Sequence, residues 1–342
     1  MPFKVVATRI LPPESQAHLE AQNYDLVQWK EDSVMPRDEL LKQVKGALFL
    51  RILGYTHADA LICLLTDRID SELLDAAGPQ LKVVATMSVG FDHVDVEELN
   101  KRKIPLGYTP DVLTDATADL TVLLTLAAAR RMKEGMNAAS QGEWGAWRPT
   151  WLCGAQFTGK TLGIIGMGRI GEAVAHRLKP FGVSRILYWG RREKPELKER
   201  LPSAEFKSEL SDVLSEADFV IVCCALTPET KEMFNYEAFK KMKKNTVFVN
   251  TARGGIVQQD DLTRALEENL IASAGLDVTS PEPLDPSHKL YQLPNCIILP
   301  HIDFPTFSIS ASATFETRER MASMCLENIH AALNSHTMPY KL

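Results

Sequence analysis

TLGIIGMGRIGEAVAHRLKPF (161–181) is the stretch that decides the fold. TLGIIG is a short apolar run of the kind that forms a strand buried on both faces. Ile170, Val174, Leu178 and Phe181 follow at steps of four, four and three, which lays one apolar stripe along a helix. Gly166, Gly168 and Gly171 stand between strand and helix with the spacing G-x-G-x-x-G. The spacing alone says little, but directly after a strand and at the head of a helix it marks a turn that cradles the phosphates of a dinucleotide. The first glycine permits the tight turn, the second lets backbone approach a pyrophosphate, and the third lets helix and strand pack closely. The helix N-terminus supplies free amides and the positive end of its dipole.

Downstream, the apolar runs RILYWG (185–190), DFVIVCCA (218–225), NTVFVN (245–250), ASAGLDV (272–278) and NCIILP (295–300) alternate with amphipathic segments. One helix is expected to start at Asn235 as its cap, with Phe239 and Met242 turned inward. Another is expected near Asp260, burying Leu262, Ala265 and Leu266. Six strands linked by crossovers make a doubly wound parallel sheet of Rossmann type. A carboxylate at the end of the second strand would accept from the ribose 2′-hydroxyl of NAD. Gly190, Arg191 and Arg192 stand there instead, and two guanidinium groups suit a 2′-phosphate. The expected cofactor is NADPH, with NADH the weaker alternative.

Upstream, FKVVAT (3–8), YDLVQW (24–29), LICLLT (61–66), LKVVAT (81–86) and IPLGYT (104–109) read as strands of a second, smaller α/β domain. DATADLTVLLTLAAARRMKEG (115–135) reads as one long helix between the two. A further helix runs from about Glu316 to Leu333.

A chain of 342 residues suits two domains. The net charge of −6, with no basic stripe, argues against nucleic acid as a partner. No apolar run reaches membrane-spanning length. MPFKVVATRIL leads straight into a strand and does not read as a signal peptide. The six cysteines contain no C-x-x-C and are expected to be reduced, mostly buried thiols, which places the protein in the cytoplasm.

Three further pieces fall past successive strand ends of the larger sheet. Arg253 lies in NTARGG (250–255), Asp277 and Glu282 in GLDVTSPEPL (275–284), and His301 in ILPHI (298–302). Open α/β sheets bind ligands at their strands' carboxyl ends, so these side chains are candidates for one site. No metal-ligand spacing is present.

These segments, together with TMSVGFDHVD (86–95), GYTPDVLTDATADL (107–120), WGAWRPTWLCG (144–154) and GIIGMGRIG, resemble the D-isomer-specific 2-hydroxyacid dehydrogenases over nearly the whole chain. The resemblance implies a Rossmann domain, residues 115–309, inserted into a flavodoxin-like substrate domain of residues 1–114 and 310–342. It implies a homodimer and NADPH-dependent reduction of a small 2-keto acid, glyoxylate or hydroxypyruvate. Another keto acid, or a nucleotide-sensing, corepressor-like role, is the alternative.

By the same resemblance, Arg253 grips the substrate carboxylate, His301 donates a proton to the carbonyl oxygen, and Glu282 orients the imidazole. Ser88, Val89 and Gly90 offer backbone amides to the carboxylate, and Trp147 helps close the partner's pocket. Trp144 and Trp151 are expected to pack. Asp277 sits by the nicotinamide carboxamide, and Thr227 and Pro228 line the adenine side. Thr117, Arg169, Ile170, Thr251 and Ala252 complete the expected cofactor set, beside Gly166, Gly168, Gly171, Gly190, Arg191 and Arg192.

The chain departs from the family pattern twice. HIDFPTFSISASAT (301–314) is longer by about eight residues after the histidine, with 303–311 expected to loop outward. GALFLRILGYTHADALICLL (46–65) also carries extra residues, around 48–58.

Overall fold

The computed structural model describes residues 2–31, 33–45, 57–300 and 314–342. His301 and both departures from the family pattern, apart from residues 57 and 58, lie outside them. The described chain divides into two compact units. One takes the residues up to Leu113 and those from 314 onward; the other runs from Thr114 to residue 300.

The first unit holds β1 (Lys4–Ala7), β2 (Asp25–Gln28), β3 (Ala60–Cys63), β4 (Val83–Thr86) and β5 (Leu106–Gly107). They form one sheet in the order β2-β1-β3-β4-β5, every pair parallel. β3 and β4 are buried throughout, as their unbroken apolar runs require. The helix Phe315–Leu333 buries Met321, Ala322, Cys325 and Ile329 with Val5, Ala7, Ile62, Val83 and Ala85. Its Asn328 clamps the chain's last residues: Nδ2 donates to Tyr340 O at 3.1 Å and Oδ1 accepts from Tyr340 N at 3.0 Å. Gly107 must be glycine here, because a Cβ would lie 2.6 Å from Asn328 Nδ2.

The second unit holds β6 (Thr161–Ile165), β7 (Arg185–Trp189), β8 (Ala204–Phe206), β9 (Phe219–Val222), β10 (Val247–Asn250), β11 (Ser273–Leu276) and β12 (Cys296–Ile298). Their order is β12-β11-β10-β9-β6-β7-β8, again all parallel. The order reverses at β6, the topological switch point where such sheets bind ligands. The sheet has one strand more than the six expected. β8 is a three-residue edge strand of AEF with Glu205 exposed, too short to show a period.

Asn235 caps the helix Tyr236–Lys240 through Ala238 N at 3.1 Å, and Phe239 and Met242 are buried as expected. Leu262, Ala265 and Leu266 are buried on Gln259–Glu267. Two helix expectations are corrected. The helix after the glycine turn is Arg169–Leu178 and passes into a 3₁₀ turn at Lys179–Phe181 containing Pro180. Phe181 therefore leaves the inward stripe and is 45% exposed. The stretch 115–135 is two helices, Thr114–Ala129 and Met132–Ser140, broken at Arg131 with φ of 53°. The returning segment takes over the first helix's last carbonyls: Ala155 N donates to Ala129 O at 2.9 Å, and a Cβ on Gly154 would lie 2.2 Å from that oxygen.

Candidate active site

β6 ends at Ile165, and the chain turns through Gly166 with φ of 99°. A Cβ on Gly166 would lie 2.6 Å from the backbone of Cys224, and one on Gly171 2.3 Å from Gly166 O. These two glycines are demanded by the fold itself. Gly168 is different: it caps the helix Arg169–Leu178, is exposed, and a Cβ there would meet nothing within 4 Å among the described residues. Internal packing does not require glycine at that point, whereas a phosphate approaching the helix's free amides does. Arg169 is exposed and Ile170 half-buried on the first turn.

Across the turn, Gly166 N donates to Trp189 O at 2.9 Å, which joins it to the end of β7. Gly190 follows, with open space where a Cβ would be. Arg191 and Arg192 are exposed, and neither has an acidic partner among the described residues. Glu193, the nearest acid in sequence, pairs with Lys198 at 3.9 Å instead. Past β9, Thr227 and Pro228 form a turn closed by Thr227 N donating to Thr230 Oγ1 at 2.7 Å. Desolvation pushes the Cys223 thiol up to about 12 and that of Cys224 to about 11, so both stay protonated.

Thr117 lies on the helix Thr114–Ala129. Its hydroxyl is buried and has no hydrogen-bond partner among the described residues. The next turn of this helix is tied to the sheet's edge, with Thr121 Oγ1 2.8 Å from Thr251 Oγ1. Open space at Gly168 and Gly190, unpaired arginines and an orphaned threonine hydroxyl fit a phosphorylated dinucleotide.

The chemical residues sit on two loops pressed together. Asn250, at the end of β10, accepts from Ala252 N through Oδ1 and donates to Arg253 O through Nδ2, both at 3.0 Å. That shapes the turn holding Thr251, Ala252 and Arg253. A Cβ on Gly254 would lie 1.8 Å from Thr279 O, so the arginine's loop runs against the backbone after β11. Asp277 is buried at the end of β11, and its N donates to Asn250 O at 3.0 Å. Glu282 is exposed and accepts from Thr279 N at 2.9 Å. Gln259 Oε1 accepts from Ser280 N at 3.0 Å and braces the same loop. Asn250 was legible as the first residue of NTARGG; Gln259 had no local signal, because its contact spans 21 positions.

In the first unit, Ser88, Val89 and Gly90 follow β4 at the carboxyl edge. Ser88 is buried, with Val89 and Gly90 half-buried. Trp147 is 87% exposed. Trp144 is 77% exposed, whereas Trp151 lies under Arg148 at 4.6 Å. A cavity of about 830 Å³ opens at the opposite, amino edge of the larger sheet, beside Lys133, Lys160, Asn245 and Asn295. None of the described candidate residues lines it. Lys133 there is occupied in donating to Tyr291 O, Leu293 O and Cys296 O at 2.8, 2.7 and 3.0 Å.

A seven-stranded parallel sheet with this glycine turn at its switch point defines a dinucleotide-binding protein. The chain belongs to the D-isomer specific 2-hydroxyacid dehydrogenases, whose NAD-binding domain it matches over residues 122–303. It is 46% identical to the glyoxylate reductase/hydroxypyruvate reductase of Homo sapiens, covering 99% of this chain and 98% of that one. A solved protein of Thermus thermophilus superposes with a TM-score of 0.88 at 43% identity, covering 99% of this chain and 100% of the other. The NADPH-dependent glyoxylate/hydroxypyruvate reductase of Sinorhizobium meliloti, solved with NADP and malonate, superposes with a TM-score of 0.81 at 27% identity, covering 100% and 97%.

Proposed function

We propose that this protein reduces glyoxylate and hydroxypyruvate to glycolate and D-glycerate, with NADPH as reductant. The observation that carries the reading is the close approach of Gly254 to Thr279, which sets Arg253 beside the loop of Asp277 and Glu282 at the ligand-binding edge. The names of the human and Sinorhizobium relatives support the substrate and the coenzyme.

Bound coenzyme supplies the hydride. Gly166, Gly168, Arg169, Ile170 and Gly171 hold its phosphates through backbone, and Arg191 and Arg192, past Gly190, hold the 2′-phosphate. Thr117, Thr227, Pro228, Thr251, Ala252 and Asp277 line the rest of its site. Arg253 binds the substrate carboxylate with a planar, doubly donating guanidinium. In the first unit, the substrate-binding domain in this reading, the amides of Val89 and Gly90 bind a carboxylate. His301 donates its proton to the carbonyl oxygen, and Glu282 favours the charged imidazole and fixes its tautomer.

The exposed Trp147 fits a homodimer in which it closes the partner's pocket. Six cysteines without a disulfide suit the cytoplasm. The test is loss of NADPH absorbance with each keto acid. Turnover on both supports the reading. Tight NADPH binding without turnover on any small keto acid overturns it in favour of a nucleotide sensor, and selective turnover of a larger keto acid moves it to another member of the family.

A further inference from the structure

We propose that Thr86 and His93 are positioning residues for the substrate carboxylate, acting through a one-way line of hydrogen bonds that pins the Ser88–Gly90 loop. The proposal rests on the reading that this loop's amides bind the carboxylate. Thr86 ends β4 and is fully buried, and Ser88 is 2% exposed.

Counting hydrogens sets the direction. The Ser88 hydroxyl has one hydrogen and donates it to Gly90 O at 2.7 Å. Ser88 Oγ therefore accepts from Thr86 Oγ1, also at 2.7 Å. Thr86 has then used its own hydrogen, so it accepts from His93 Nε2 at 3.0 Å and, with its second lone pair, from the Cys63 thiol. The line runs His93 to Thr86 to Ser88 to Gly90, and it requires the tautomer with a proton on Nε2.

The line fixes peptide planes. Ser88 O accepts from Thr109 N at 3.0 Å, so the trans peptide aims the Val89 N–H away from Thr109. Gly90 O is held by the Ser88 hydroxyl. The peptide carrying the Gly90 N–H lies between two pinned planes. Both amides are thus oriented before an anion arrives, and pre-ordering of this kind strengthens binding without adding a contact.

The experiment compares Thr86→Val, which keeps the shape and deletes the hydroxyl, with Thr86→Ser, which restores it. His93→Leu and His93→Gln form a second pair, since glutamine can donate from a similar position. The readouts are KM and kcat for hydroxypyruvate, Kd for oxalate as a carboxylate probe, Kd for NADPH, and Tm. Thr86→Val and His93→Leu are expected to raise KM and the oxalate Kd about tenfold, the loss of one buried hydrogen bond, with NADPH affinity unchanged. Thr86→Ser and His93→Gln are expected to recover most of it. If Thr86→Val folds poorly, the His93 pair decides. A lower Tm with unchanged KM and oxalate Kd would overturn the line while leaving the reductase reading intact. A native protein that neither binds oxalate nor turns over would overturn that reading, and the line with it.

Discussion

The carboxyl ends of the two sheets are finished in opposite ways. In the first unit, side chains just past β1 and β3 bond to one another. Asp67 accepts from Thr8 Oγ1 at 2.5 Å and from Leu64 N at 2.8 Å, and pairs with Arg9 at 3.7 Å, all buried. In the second unit β6 and β7 run out into glycines. Gly168 and Gly190 face open space, and the Thr117 hydroxyl finds no partner among the described residues. Both sheets are wholly parallel, so strand type does not explain the contrast. The residues just past the strands make one edge a cross-linked plate and the other a socket.

The largest effect is expected in the socket. Arg253→Ala should lower kcat/KM by about 10²–10⁴-fold, because two charge-assisted bonds to the carboxylate are lost at roughly 1.5–3 kcal/mol each. His301→Ala should cost about 10²–10⁴-fold in kcat while NADPH still binds. Steady-state kinetics with a parallel coenzyme titration check both, and near-normal turnover of either variant would remove that residue's role.

On the plate, Asp67→Ala should destabilise the protein by about 2–5 kcal/mol, since two buried donors, Thr8 Oγ1 and Leu64 N, lose their acceptor. Denaturant unfolding measures this, and a shift below about 1 kcal/mol would show the cluster to be incidental.

The contrast within the glycine turn sharpens the comparison. Gly171→Ala should cost stability, about 1–3 kcal/mol, because its Cβ would press on Gly166 O. Gly168→Ala should leave Tm nearly unchanged and weaken NADPH binding about tenfold or more. If both variants lost stability alike, Gly168 would be a fold residue and not a phosphate seat.

The smallest effect concerns pH. Burial alone would raise the Asp218 carboxyl, but the Thr161 amide, the Asn245 amide and Lys243 outweigh it and hold its pKa below the ordinary value. A carboxylate depressed in the folded state adds stability above its unfolded pKa of about 3.9, and that stability is lost as pH falls through the lower folded value. The Tm of the native protein should therefore fall more steeply than that of Asp218→Asn below about pH 4, and parallel curves would contradict the assignment.

How legible each part was depended on how local its cause is. The glycine turn, the Asn235 cap and the fully buried strands are written in adjacent residues and were readable. The break at Arg131 was not, because it depends on Gly154 and Ala155 returning to Ala129. β8 was not, because two half-buried residues around one exposed one are too few to show a period. Arg253, Asp277 and Glu282 could be named from their motifs, but not the approach of Gly254 to Thr279 that draws their loops together. Trp144 was expected to pack and stands exposed, since a tryptophan in sequence does not say whether its own chain covers it.

The most direct test of the account is the ratio of kcat/KM for NADPH to that for NADH in the unmodified protein, with hydroxypyruvate as substrate. Arg191 and Arg192, free of acidic partners among the described residues, lead to turnover with a preference for NADPH of about 10- to 1,000-fold. No turnover with either coenzyme, or a ratio at or below one, would contradict it.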